Sequence, residues 1–151
     1  MTRDVQEQPT MRERVERLES IIEQAPQVDC PVRHQFAPHL YAREMLVPAG
    51  VIATGAVHRT EHLTIVVGHC HLTTDDGVQE FKGYHSFVSK PGTKRAIYAI
   101  ENTMVTTLHV TEETDPQKLS GLLTESTADE LLGGPNNRQL LAQQRREALE
   151  V

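Results

Sequence analysis

Between positions 58 and 71 the chain reads His-Arg-Thr-Glu-His-Leu-Thr-Ile-Val-Val-Gly-His-Cys-His, with four histidines, one glutamate and one cysteine in fourteen residues. Neutral imidazoles and carboxylates are the usual ligands of divalent zinc, iron, nickel and manganese, so the cluster is a candidate site for one such ion. The stretch is strand-like, and alternation on a strand sends neighbouring side chains to opposite faces. These groups therefore cannot all converge on one point. A further histidine, His109, stands on the last predicted strand and can complete a site with some of them.

The elements that must position these groups follow from periodicity. From Thr10 to Gln24, the apolar residues Met11, Val15, Leu18, Ile21 and Ile22 fall at helical spacing. Thr10 and Glu13 form a capping-box pattern, and Pro26 stops the helix. The narrow stripe either lies on the chain's own domain or pairs with a second subunit. The centre is β: strands are expected at 41–47, 51–58, 63–68, 70–73, 78–82, 85–88, 96–100 and 105–111. Turn residues such as Asp75-Asp76-Gly77 and Lys90-Pro91-Gly92-Thr93 separate them. Many short strands at this spacing predict an antiparallel sandwich or barrel. Asp115-Pro116 opens a short helix through Leu123. A further turn is expected at 127–132, and a polar helix at 137–149. The organisation is thus a polar segment and helix (1–28), a β-barrel (29–112) and a helical tail (113–151).

With 151 residues, the chain is sized for one domain with extensions, and its net charge of −6 offers no basic stripe for general nucleic-acid binding. The start lacks the apolar core of a signal peptide, and no apolar run approaches the ~18 residues of a membrane span. Two cysteines, Cys30 and Cys70, are too few for a disulfide framework, so free thiols in a reducing cytoplasm are expected. No glycine-rich phosphate loop, nucleophile elbow or Cys-x-x-Cys pair is present.

Residues 50 to 111 resemble the cupin superfamily of small jelly-roll barrels. Gly55, His58, Glu61 and, seven residues on, Gly68 follow that family's first motif, and Pro91-Gly92-Thr93 with Asn102 follows part of its second. Two departures stand out. Only His58 precedes Glu61 where the family has two spaced histidines, with His62 directly after. The second-motif histidine is absent, its neighbourhood holding Arg95 and Tyr98, and His109 is its candidate replacement. The segment Phe36 to Glu44, with Pro91 to Arg95, also looks like small cupin-like proteins of tailed bacteriophages, which implies the host cytoplasm or the virion as a setting.

Three arrangements of the cluster compete. His58, His62 and His109 form the site, with Glu61 as a fourth ligand or a partner of one of them. Alternatively Glu61 points inward with Leu63, Ile65 and Val67 and joins His58 and His109. In the third, no metal binds and these residues are hydrogen-bonded polar groups of the barrel. His69 and His71 flank Cys70 without a usual structural-zinc spacing and read as exposed strand residues. His85 reads as a strand or turn residue, and His34 and His39 as surface. Lys94 and Arg95 either hold an anionic ligand at the barrel mouth or cap a turn.

Two function classes follow. The favoured one is a non-catalytic accessory protein whose barrel is an assembly or interaction module, homo-oligomeric, with protein partners reached through the helical arms. The other is a metal-dependent cupin enzyme in which Arg95 or Tyr98 orients a small substrate. A metal-free ligand sensor is a third reading.

Overall fold

The structure is a computed structural model that describes residues 7–125; the expected turn at 127–132 and helix at 137–149 lie outside the described residues. It contains helix α1 (Met11–Glu23), strands β1 (Val32–Ala37), β2 (Leu40–Val47), β3 (Ile52–Thr54), β4 (His62–Thr74), β5 (Gly77–Ser89), β6 (Ala96–Ala99) and β7 (Thr103–Val110), and helix α2 (Pro116–Leu123). The fold is mainly β, a curled antiparallel jelly-roll-like sheet with a helix at each end. The strands run in the order β1-β2-β7-β4-β6-β3, with β5 on the other side of β4.

Strand β4 is the spine. Its whole length pairs with β5, from His62 opposite Ser89 to Thr74 opposite Gly77. On its other edge it pairs first with β7, over residues 63–67, and then with β6, over residues 70–72. The change of partner happens at Gly68, whose φ of +142° lies in the region that favours glycine. A Cβ there would stand 2.6 Å from Thr103 Oγ1 and 2.7 Å from the Asn102 carbonyl oxygen. The same Thr103 hydroxyl accepts from the His69 amide and stitches the crossing point together.

The 63–68 and 70–73 strands expected separately are thus one strand, because Gly68 bends the chain without breaking the β5 ladder. The two expected strands at 78–82 and 85–88 likewise merge into β5, with Gly83 inside it. Strand β1 is an addition, since five of its six residues are exposed and it carries no inside–outside alternation for periodicity to detect.

Even-numbered residues of β4 face inward. Val66, Cys70 and Leu72 join Val47, Ile97 and Ala99 in the buried core, with Met45, Phe81, Phe87 and Val105 packed around it. At the other end of the same face stand His62 and Thr64, beside Thr107 and His109 of β7 and Tyr41 and Arg43 of β2. One inward face therefore has an apolar end that holds the fold and a polar end that opens into a cavity. Helix α1 starts at the Thr10 cap and buries Val15, and its Glu19 carboxylate pairs with Lys94 and Thr54 of the barrel. Of its stripe, Val15 packs on the chain's own domain while Ile21 is 68% exposed. Helix α2 packs Leu119 and Leu123 against Tyr41.

Replacing Gly68 with alanine should cost about 2–4 kcal/mol, since a backbone clash adds to an unfavourable φ. Gly83→Ala, at positive φ but with nothing within 4 Å of its Cβ position, should cost only about 1 kcal/mol. Urea unfolding of the two variants tests the difference; equal losses would contradict the close-approach account.

Candidate metal centre

His62 is held by the first turn of β4, its Nδ1 donating to the Thr60 carbonyl oxygen at 3.0 Å. That bond fixes the tautomer and leaves Nε2 with a lone pair. His109 is 2% exposed, and its Nε2 hydrogen-bonds the Thr107 hydroxyl at 2.9 Å. Its Nδ1 is buried with no hydrogen-bond partner. His58 lies before the bend at Arg59-Thr60 and is fixed by a β-bridge to Thr124. The Arg59 amide donates to the Leu123 carbonyl oxygen, and the Glu125 amide to that of Val57, so the segment after α2 is strapped over this loop.

These three elements bring the imidazoles of His58, His62 and His109 together, with ring centres 4.2 to 5.1 Å apart. One nitrogen from each lies within 4.8 Å of the other two. Three nitrogens around an ion at ~2.1 Å stand roughly 3.4 Å apart, a closure within reach of side-chain rotation. All three rings are kept neutral. Burial above all, then the neighbouring imidazoles of His62 and His109 and the cations Arg43 and Arg95, lowers the His58 pKa to about 3. Burial, then His62 and Arg43, lowers that of His109 to about 4. His62 is lowered by burial, opposed by its bond to Thr60. Neutral imidazole is the metal-binding form.

Glu61 does not join the cluster. It is exposed, and Leu63 and Val67 point outward with it, so the arrangement in which Glu61 faces inward with them is corrected by strand parity. Tyr98 also faces away from the cavity, 42% exposed and edge-on to His71, because Ile97 and Ala99 on either side fill the core. Arg95 does line the cavity. Cys70 faces the core while His69 and His71 face out, which splits the His-Cys-His run; burial also pushes the Cys70 thiol pKa up.

Further cavity residues come from β1 and β2. Tyr41 stacks on His109 and its hydroxyl meets His34 Nδ1 at 2.6 Å, and Arg43 sits beside Thr107. The signal for them was the alternation Tyr41-Arg43-Met45-Val47 on one face of β2, which names the inward set once its register with β7 is known. His39 is instead at the β1–β2 turn with a φ of +63°, contacting Glu112. His85 faces inward on β5 and meets the Lys82 carbonyl oxygen.

No protein-family model matches the chain, and no curated protein does. Solved structures with a similar fold include the Cupin_2 domain of an XRE family transcriptional regulator from Enterobacter cloacae (11% identity, covering 54% of this chain and 97% of that one, TM-score 0.45). A cupin superfamily protein from Desulfitobacterium hafniense DCB-2 is 10% identical, with 59% and 84% covered and a TM-score of 0.46. KdgF from Halomonas sp. is 17% identical, with 58% and 87% covered and a TM-score of 0.46. In fold, the chain is similar to cupin domains. With TM-scores below 0.5 and identities of 10–17%, these likenesses say nothing of the cavity, which is characterised by its own residues.

The sign of the pH response follows from the lowered histidines. Below pH ~6.5 the unfolded chain takes up protons that folded His58 and His109 refuse, so stability is complete above that pH and drains away between it and ~3–4. In chelator-treated protein, each should cost about 2 kcal/mol on going from pH 7 to pH 5. His109→Phe should remove its share. Denaturant titrations at the two pH values check this, and an identical pH loss in the variant would contradict it.

Proposed function

We propose that this cupin-like barrel is a metal-dependent small-molecule site, with one divalent ion held by His58, His62 and His109. The observation that carries the proposal is the buried, unpartnered Nδ1 of His109 beside two other neutral imidazoles. When Nε2 donates to Thr107, that nitrogen has an unsatisfied lone pair, which is costly in a buried place unless something accepts it as a ligand. Three protein nitrogens leave further coordination positions open, as catalytic and ligand-binding sites require. An ion there supplies Lewis acidity to a ligand oxygen. The chain's own residues shape the rest: Thr64 and Ser89, hydrogen-bonded to each other at 2.7 Å, and Thr107 make one wall polar, and Tyr41 with Leu119 and Leu123 of α2 makes another apolar. Zinc, iron, manganese and nickel all suit imidazole ligands or accept them.

Elemental mass spectrometry of tag-free protein should find close to one ion per chain. His58→Ala/His109→Ala should lose it while keeping its β circular dichroism. Metal content unchanged in that variant would contradict the assignment.

One observation favours a second role, self-assembly. The outer face of β5, β4 and β7 carries Leu63 opposite Val88 and Leu108, and Val67 opposite Tyr84 and Met104. Leu63, Tyr84 and Val88 are 49%, 67% and 53% exposed. An exposed apolar cluster of this kind marks an interaction surface, with Glu61 beside it and the Arg33–Glu44 ion pair between Leu40 and Leu46 of β2. A second copy presents the same apolar cluster, so a two-fold pairing can bury Leu63, Tyr84 and Val88 against their own copies. In this role the barrel is an assembly module, of the kind the phage resemblance implies. Light scattering should report a dimer that Leu63→Lys/Val88→Lys converts to monomer; a wild-type monomer at 100 micromolar would overturn it.

A further inference from the structure

We propose that the molecule this cavity takes is a small organic carboxylate, bound between Arg95 and the three-histidine cluster. The inference rests on the metal-site reading for one end of the ligand only; the other end is set by Arg95 alone.

Arg95 is a half-buried guanidinium in the cavity wall. Its Nη1 donates to the Thr73 carbonyl oxygen and its Nη2 to the Ser89 hydroxyl, both at a long 3.3 Å. The group lies over the Phe87 ring at 4.9 Å, which fixes its plane. None of the ion pairs among the described residues involves it. Asp75 lends the group some favourable charge, but no carboxylate of the described residues bonds it directly, and a half-buried guanidinium gains when an anionic ligand does so.

The charge of the whole cavity agrees. Setting aside Arg43, which is engaged in a contact of its own, its lining includes the cations Lys90, Lys94 and Arg95 but one carboxylate, Glu19, and both oxygens of that carboxylate are within 2.9 Å of Lys94 Nζ. The positive charge of Arg95 reaches the cluster, since it bears on both His58 and His62. An ion in the cluster would add two further positive charges, which favours an anionic ligand over a neutral one.

Shape narrows the anion. A planar guanidinium fork matches a planar carboxylate through two parallel hydrogen bonds. The backbone amides at a glycine-rich turn that commonly cradle phosphate are missing from the sequence. The cavity of about 200 Å³ is below the roughly 300–1,000 Å³ of sites for drug-sized molecules, which suits an acid of a few carbons.

The test is calorimetry on the full chain with malonate, its neutral analogue malonamide and inorganic phosphate, each with zinc-loaded and chelator-treated protein. Malonate should bind at least tenfold more tightly than malonamide and phosphate. Arg95→Met should lose at least tenfold in malonate affinity while its zinc content stays at the wild-type level, and Arg95→Lys should fall between. Equal binding of malonate and malonamide by the wild type would overturn the proposal without any variant, as would phosphate binding more tightly than malonate. Absence of zinc binding with an Arg95-dependent preference for malonate would retire the metal reading and leave the carboxylate assignment standing. Zinc binding with malonate affinity unchanged by Arg95→Met would do the reverse.

Discussion

Because β4 is paired along both edges, the faces of its thirteen residues are not free to slip, and a one-residue shift would turn every side chain over. Val66, Cys70 and Leu72 must face the core, and parity then places His62 and Thr64 inside as well. That constraint sets the rest. His109 comes beside His62 because Leu63 pairs with Leu108, and Tyr41 comes beside His109 through the β2–β7 register. Gly68 is the concession that lets one strand serve β7 and β6 in turn.

A polar cavity inside a small barrel is a liability that the fold offsets elsewhere. Burial lowers the pKa of all three imidazoles and so favours their uncharged form, and the buried Lys94 is neutralised by Glu19 from α1 rather than by the barrel. The helix thereby becomes part of the cavity wall. The segment after α2 contributes likewise, since its bridge at Thr124 holds the loop that carries His58. Among the described residues the His109 Nδ1 has no hydrogen-bond partner and Arg95 joins no ion pair, the two features on which the proposed metal and carboxylate rest. Both line one cavity, so the two proposals concern a single site.

The sheet, the helix at 11–23 and the helix at 116–123 were legible because hydrophobic periodicity, turn residues and caps speak locally. The inward face of β4 was not, for a specific reason. At the cavity end the polarity is inverted: Leu63 and Val67 point to solvent while His62 and Thr64 point in. Local hydrophobicity thus left Glu61 and His62 as rivals for the interior, and only the shared register with Val66, Cys70 and Leu72 separates them. The contributions of Tyr41 and Arg43 depend on which strand lies beside β7, a long-range pairing that neither residue announces. Tyr98 was misplaced by one step of the same alternation.

The most direct test of the three-histidine centre is long-range proton–nitrogen NMR of protein labelled with 15N in histidine, titrated with zinc. Of the eight histidines, three should move together to metal-bound nitrogen shifts at one equivalent, with His62 retaining its proton on Nδ1. Resonances lost in His58→Ala and His109→Ala would assign them. Saturation at one equivalent on His69 and His71 instead, or no change in any ring nitrogen, would contradict the account.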